Sequence, residues 1–197
     1  MARAAELLAR ARAHYDRPEH ELAALASNRG WRGFRGGAEW MRAALATLRG
    51  VAPGGRATFE WLGFVKYAIA ASAASIVAAG AIAMIVGSGG DGIWCSCGWA
   101  SLLLVVPVFY VVESRMVFAF PAALDGAARP LATSARIVQN AGSMAATTAV
   151  VMRIAAEMLL GGVRGRGFVR SWCVGCLAVV MWYEDVRGRS PGAGSAS

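Results

Sequence analysis

Residues 67–86 read YAIAASAASIVAAGAIAMIV, twenty positions without a charged side chain. At about 1.5 Å per residue, a helix of this length crosses the roughly 30 Å hydrocarbon core of a bilayer. A second charge-free run of twenty residues follows at 93–112, and the Gly-rich stretch 87–92 separates the two. The two runs predict a transmembrane hairpin and therefore an all-α, polytopic membrane protein.

The composition agrees with a location in the bilayer. The chain has 197 residues, of which 57% are hydrophobic and 16% charged, whereas a soluble domain usually carries about a quarter charged residues. Low charge and long apolar runs exclude a disordered tail protein and a highly charged nucleic-acid-binding domain. We therefore expect the lipid bilayer and other membrane subunits as partners, and no nucleic acid.

The basic residues are concentrated before the first apolar run. Ten Arg and six acids precede residue 61, whereas the Gly-rich stretch between the runs has one acid and no base. The positive-inside rule then places the N-terminus in the cytoplasm and the Gly-rich turn outside. The first sixty residues also lack the apolar segment of a secretory signal peptide. The predicted location is a bacterial-type inner membrane.

Short helices are predicted in the N-terminal region. In the first of them, apolar side chains recur at helical spacing at Ala4, Leu7, Leu8, Ala11 and Tyr15. Arg-rich polar faces opposite such residues are typical of helices that lie at the level of anionic lipid headgroups. Packing of these helices on one another or on a partner subunit explains the pattern equally well.

The first apolar run carries small residues at every fourth position, namely Ala71, Ser75, Ala79 and Ala83. Lipid provides no hydrophobic drive between helices, so close packing through small side chains is a main source of their association. This set, called the small-residue ladder below, predicts intimate helix packing, either within the chain or against another protein.

Two further helices are predicted in the second half of the chain, and both are compromised as membrane spans. The first contains Arg153 and Glu157, whose i,i+4 spacing predicts an intramembrane ion pair. The second, from residue 168 onward, is short. If both cross the bilayer, the Arg-rich loop between them lies outside, against the positive-inside rule.

These patterns divide the chain into three predicted regions. Residues 1–60 form an Arg-rich cytoplasmic helical region, residues 61–186 a membrane domain, and residues 187–197 a disordered tail. Within the membrane domain, helices are predicted at about 61–86, 93–115, 137–161 and 168–184.

The four cysteines occur as two pairs, Cys95 with Cys97 and Cys173 with Cys176. Each pair follows a Trp and precedes an apolar run that ends in Tyr and Glu, and this internal echo favours four membrane segments with both pairs at the outer surface. Four thiolates are able to bind zinc or an iron–sulfur cluster. Disulfides and plain burial as small apolar residues are the alternatives.

His14 and His20 are the only histidines, and both precede the membrane domain. No membrane helix therefore offers an imidazole, and we expect no His-ligated haem or chlorophyll there. No Ser–His–acid combination is present near the membrane, and no two carboxylates share a depth in it. The sequence accordingly contains no recognisable catalytic set.

These observations together predict a non-catalytic accessory subunit or assembly factor of a larger inner-membrane complex, for example an energy-transducing (respiratory or photosynthetic) one. The alternative is a membrane redox or metal-binding protein that uses the two Cys pairs. A small transporter built from two hairpins is the second alternative.

Overall fold

A computed structural model describes residues 2–28, 33–55, 59–88 and 92–188, and within these ranges every regular element is a helix. The predicted all-α class is thereby confirmed. The helices are α1 (Ala2–Tyr15), α2 (Leu22–Asn28), α3 (Gly33–Arg49), α4 (Phe59–Gly87), α5 (Gly92–Leu102), α6 (Val105–Arg115), α7 (Ala119–Leu124), α8 (Pro130–Ala141), α9 (Met144–Gly161) and α10 (Phe168–Arg187). A 3₁₀ turn (Pro18–His20) joins α1 to α2, and a π-type turn (Gly162–Arg166) joins α9 to α10.

Three helical stretches in the described residues are long and apolar enough to cross a membrane: Phe59–Gly87, Gly92–Leu124 and Met144–Arg166. The first two correspond to the predicted hairpin, and α4 packs along both α5 and α6. Helix α10 is not among the three, because charged residues stand near both of its ends. The four predicted membrane segments are therefore reduced to three candidates.

The second apolar run is broken near its middle. Helix α5 ends at Leu102 and α6 begins at Val105, so the predicted single helix at 93–115 is two shorter ones. Pro107 accounts for the break, because proline lacks a backbone N–H and its ring clashes with the carbonyl four residues earlier, here that of Leu103.

The predicted helix at 137–161 is also divided, and its predicted start falls inside α8. Gly142 separates α8 from α9 with a φ of 135°, a conformation that L side chains rarely adopt. Ser143 then begins α9 as its N-cap, since its hydroxyl accepts a hydrogen bond from the Ala146 N–H at 3.3 Å.

Helix α10 lies at the centre of the fold. It packs against α1, α3, α8 and α9, and most of its side chains are buried. Phe118, in the turn before α7, meets the Trp182 ring edge-on with centroids 5.0 Å apart. The segment 116–124 is too short to cross a bilayer, and the structure shows that it folds back onto this core.

The apolar side of α1 is part of the same core. Its buried side chains are the five predicted from helical spacing: Ala4, Leu7, Leu8, Ala11 and Tyr15. They pack against α9 and α10. Of the two interpretations of this helix, packing within the chain is therefore the one observed, and these five side chains are not presented to a lipid surface.

Ion pairs follow the contact between α1 and its neighbours. Arg10 pairs with Asp185 at 2.8 Å, and Arg170 pairs with Asp16 at 2.6 Å. These pairs lie near opposite ends of α10, so a charged helix accompanies α10 over most of its length. Hydrocarbon does not accommodate such a neighbour, and this arrangement argues against α10 as a fourth span.

Candidate functional site

A cavity of about 530 Å³ lies between α3, α4, α6, α9 and α10. Its wall is mostly apolar and aromatic, and it includes Trp40 of α3, Phe109 of α6, Ile154 of α9 and Val179 of α10. The volume falls within the range of roughly 300–1,000 Å³ that is usual for small-molecule sites, which are typically apolar with a few polar groups. This cavity is the candidate functional site.

The polar part of the cavity wall contains a buried ion pair. The Lys66 ammonium lies 2.7 Å from Oε1 of Glu113, and the two side chains are only 4% and 11% exposed. The ammonium also stands 4.8 Å from the centroid of the Phe120 ring, close enough for a cation–π contact. The two charges neutralise each other, so this part of the wall is polar without net charge.

The second oxygen of the Glu113 carboxylate, Oε2, is buried and has no hydrogen-bond partner in the described part of the chain. Buried polar atoms in folded proteins are almost always hydrogen-bonded, and an unsatisfied one costs free energy. Glu113 is one of the residues that line the cavity, so a side chain of the wall carries a hydrogen-bond acceptor that the described part of the protein does not use.

The sequence analysis does not predict the pairing of Lys66 with Glu113, which flank two separate apolar runs. The signal for it is their register. Lys66 lies 21 residues before Gly87, and Glu113 lies 21 residues after Gly92. Two antiparallel helices joined at this turn bring the two residues to the same level.

The ion pair predicted between Arg153 and Glu157 is not the one that the structure shows. Oε1 of Glu157 accepts hydrogen bonds from Arg12 of α1 at 2.5 Å and from Arg166 at 2.6 Å, whereas Arg153 is exposed. The i,i+4 spacing is compatible with a pair, but two guanidinium groups brought by tertiary packing occupy the carboxylate instead.

The small-residue ladder points away from the rest of the chain. Its members Ala71, Ser75, Ala79 and Ala83 are all exposed. Helix α4 instead packs on the rest of the chain through a different face, on which Ala70, Ala74 and Ala81 are buried. Gly98 of α5 comes so close there that a Cβ atom on it would lie 2.8 Å from the Ala81 carbonyl oxygen. Close intrachain packing thus uses other small residues than the ladder.

The four cysteines are free thiols and are not gathered into one cluster. Among the described residues, no group of three or more His, Cys, Asp or Glu side chains is placed to hold a metal ion. Cys97 is exposed on α5, whereas Cys173 is buried in α10. Burial raises the pKa of the Cys173 thiol, and protonated thiols are poor metal ligands. The predicted site of Cys95, Cys97, Cys173 and Cys176 is therefore not assembled in this structure.

A second polar cluster surrounds Asp125, directly after α7. Arg49 donates to both carboxylate oxygens, at 2.6 and 3.0 Å. The Tyr183 hydroxyl donates at 2.7 Å and Arg187 at 2.5 Å. Arg49 also pairs with Glu184. The cluster connects the ends of α3, α7 and α10, and its role is to stabilise the packing of these three helices.

The Asp125 cluster predicts a specific dependence of stability on pH. Burial acts to raise the pKa of Asp125, but the hydrogen bonds from Arg49 and Tyr183 outweigh it, and the pKa is lowered. The unfolded chain therefore binds this proton more tightly than the folded one. The stabilisation by the carboxylate is complete above about pH 4, the ordinary range for Asp, and is lost as the pH falls below it.

We expect the free energy of unfolding in detergent, from denaturant titrations followed by far-UV circular dichroism, to fall less steeply with acidification in Asp125→Asn than in the natural chain. Glu60→Gln changes an exposed carboxylate on α4 and is expected to keep the natural slope. Equal acid slopes for Asp125→Asn and the natural chain would contradict the assignment.

The fold defines the class of the molecule as an all-helical chain with helices of membrane-spanning length, and its apolar helices indicate a membrane location. No protein-family model matches the chain, and no curated protein or solved structure is found to be similar to it.

Proposed function

We propose that this chain is a non-catalytic subunit or assembly factor of a larger complex in a bacterial-type inner membrane, with its N-terminus on the cytoplasmic side. The observation that carries the proposal is the exposure of the small-residue ladder on α4. A helix that faces only lipid has no need of such a ladder, whereas a partner helix gains close backbone contact from it.

The shape of the hairpin supports the same proposal. In the part of α4 that follows Ala74, Ala81 is the one buried residue, and in α5 the one buried residue is Gly98. The outer part of the hairpin therefore consists of two helices that cover each other along one face and leave their other faces open. Such a two-helix element offers a long apolar surface on which the helices of other subunits can pack.

The charge distribution supports the orientation. The Arg-rich helix α3 packs on α4, and its Trp40 and Met41 line the same cavity as Lys66 and Glu113. The Gly-rich stretch at the other end of the hairpin has no basic residue. The positive-inside rule places the basic end in the cytoplasm.

The ladder is tested by a double substitution that adds bulk to it. In Ser75→Leu/Ala79→Leu, two leucine side chains hold a partner helix away, and we expect co-purifying proteins to be lost after mild detergent extraction and native sizing. The matched control is Ser72→Leu/Ile76→Leu, which changes exposed residues on the adjoining face of the same helix and is expected to retain them. Both variants should keep the natural circular dichroism spectrum, because none of these residues is buried.

Two outcomes would overturn the proposal. One is a natural chain that elutes as a monodisperse monomer or homodimer without stoichiometric partners. The other is equal retention of partners by the ladder variant and its control.

A further inference from the structure

We infer that the cavity between α3, α4, α6, α9 and α10 binds an uncharged lipophile that carries a hydroxyl group. The inference is independent of the proposed function, since it depends on the interior of the fold and not on the exposed ladder.

The apolar wall sets the class of the ligand body. Aromatic and aliphatic side chains from each of these helices contribute to it, including Met41, Phe59, Tyr110, Met158 and Trp172. Transfer of a hydrocarbon chain from water to such a surface is favourable in proportion to the area covered. Methionine side chains also adapt to irregular apolar shapes, and aromatic rings provide large apolar contact areas.

The ion pair sets the chemistry of the ligand head. Because Lys66 and Glu113 already neutralise each other at 2.7 Å, a charged head group would add an uncompensated charge to a buried site, which is costly. A hydroxyl group adds no charge. Its hydrogen supplies the donor that Glu113 Oε2 lacks, and its oxygen accepts from the ammonium of Lys66. A plain hydrocarbon leaves both groups as they are.

The position of the cavity is compatible with entry from the bilayer. Among its lining residues, Tyr67 of α4 and Leu159 of α9 are 36% and 51% exposed, so they lie towards its opening. Both helices belong to the candidate membrane spans. A lipophile dissolved in the membrane therefore reaches the cavity sideways, without passing through water.

The experiment uses the full-length chain in phosphatidylcholine vesicles and a long-chain primary alcohol with a diazirine in its chain. After illumination, mass spectrometry maps the labelled peptides. We expect saturable labelling of the α9 and α10 peptides that contain Met158 and Trp172. Excess dodecan-1-ol should abolish this labelling. Dodecane should compete about tenfold less well, as expected for the loss of one hydrogen bond to a charged group, and dodecanoate should also compete about tenfold less well, because it adds an uncompensated charge to the buried site.

Two further variants test the apolar wall and the ion pair separately, and a third serves as a control. Ala155→Phe places a ring in the cavity wall and should remove the saturable labelling, whereas Ala149→Phe, on an exposed position of the same helix, should not. The double variant Lys66→Met/Glu113→Leu should bind dodecane and dodecan-1-ol equally.

Three results would overturn the inference: labelling that does not saturate, equal competition by dodecane and dodecan-1-ol in the natural chain, or stronger competition by dodecanoate. The competition series decides the matter on the natural chain alone, even if Ala155→Phe fails to fold. Loss of partner proteins in the ladder variant has no bearing on it, so the two proposals fail separately.

Discussion

Replacement of Glu113 by Leu is expected to lower the free energy of unfolding by about 3–5 kcal/mol, the range for breaking a buried ion pair by removing one partner. The substitution leaves the ammonium of Lys66, itself 3% exposed, without a counter-ion. The contact with the Phe120 ring remains, but a cation–π contact of about 0.5–2 kcal/mol does not replace a carboxylate.

The double variant Lys66→Met/Glu113→Leu is expected to recover most of this loss. Exchange of a whole buried pair for apolar residues of similar volume is often neutral or stabilising, because neither charge has to be taken out of water. Denaturant unfolding in a nonionic detergent, followed by circular dichroism, compares both variants with the natural chain.

Glu60→Leu is the matched control for Glu113→Leu, since Glu60 is an exposed carboxylate on the helix that carries Lys66. It should change the free energy of unfolding by less than about 0.5 kcal/mol. A double variant as unstable as Glu113→Leu alone would show that the two residues do not stabilise the fold as a pair.

The second large effect is expected at the centre of the core. Trp182→Ala should cost about 3–5 kcal/mol, as is usual for removal of a fully buried aromatic side chain. Trp182 is 1% exposed, and its ring lies edge-on to Phe118 with centroids 5.0 Å apart. The guanidinium of Arg3 lies 5.7 Å from the ring centroid, so the substitution also loosens the attachment of α1.

Trp61→Ala provides the comparison for Trp182→Ala, because Trp61 is 72% exposed near the start of α4. We expect it to change the unfolding free energy in detergent by about 0.5 kcal/mol or less. The thermal midpoint and the denaturant midpoint report both variants. Similar losses in the two variants would contradict the central position of Trp182.

Helix α1 and the hairpin show what local pattern predicts well. The five apolar residues of α1 recur at helical spacing, and all five are buried. The charge-free runs at 67–86 and 93–112 both lie within candidate spans. Periodicity and the length of an apolar run are properties of consecutive residues, so they can be determined from the sequence without knowledge of the neighbouring helices.

Prediction was weaker wherever a residue's partner lies far along the chain. The i,i+4 spacing predicts that Glu157 pairs with Arg153, one turn away, but it pairs with Arg12, which lies 145 residues distant in the sequence. The cysteine pairs resemble a four-thiolate site in spacing, yet Cys97 is exposed and Cys173 buried. Spacing along the chain indicates which residues share a helix face, but it does not indicate which other helix packs on that face.

The sequence by itself therefore determined the helical class, the apolar hairpin and the buried face of α1, because each depends on the order of neighbouring residues. Tertiary structure alone decided that Lys66 meets Glu113 and that Glu157 meets Arg12. It also decided that the ladder faces outward. The physical reason is that ion pairing and burial depend on distances between helices, and those distances are set by the packing of the whole core around α10.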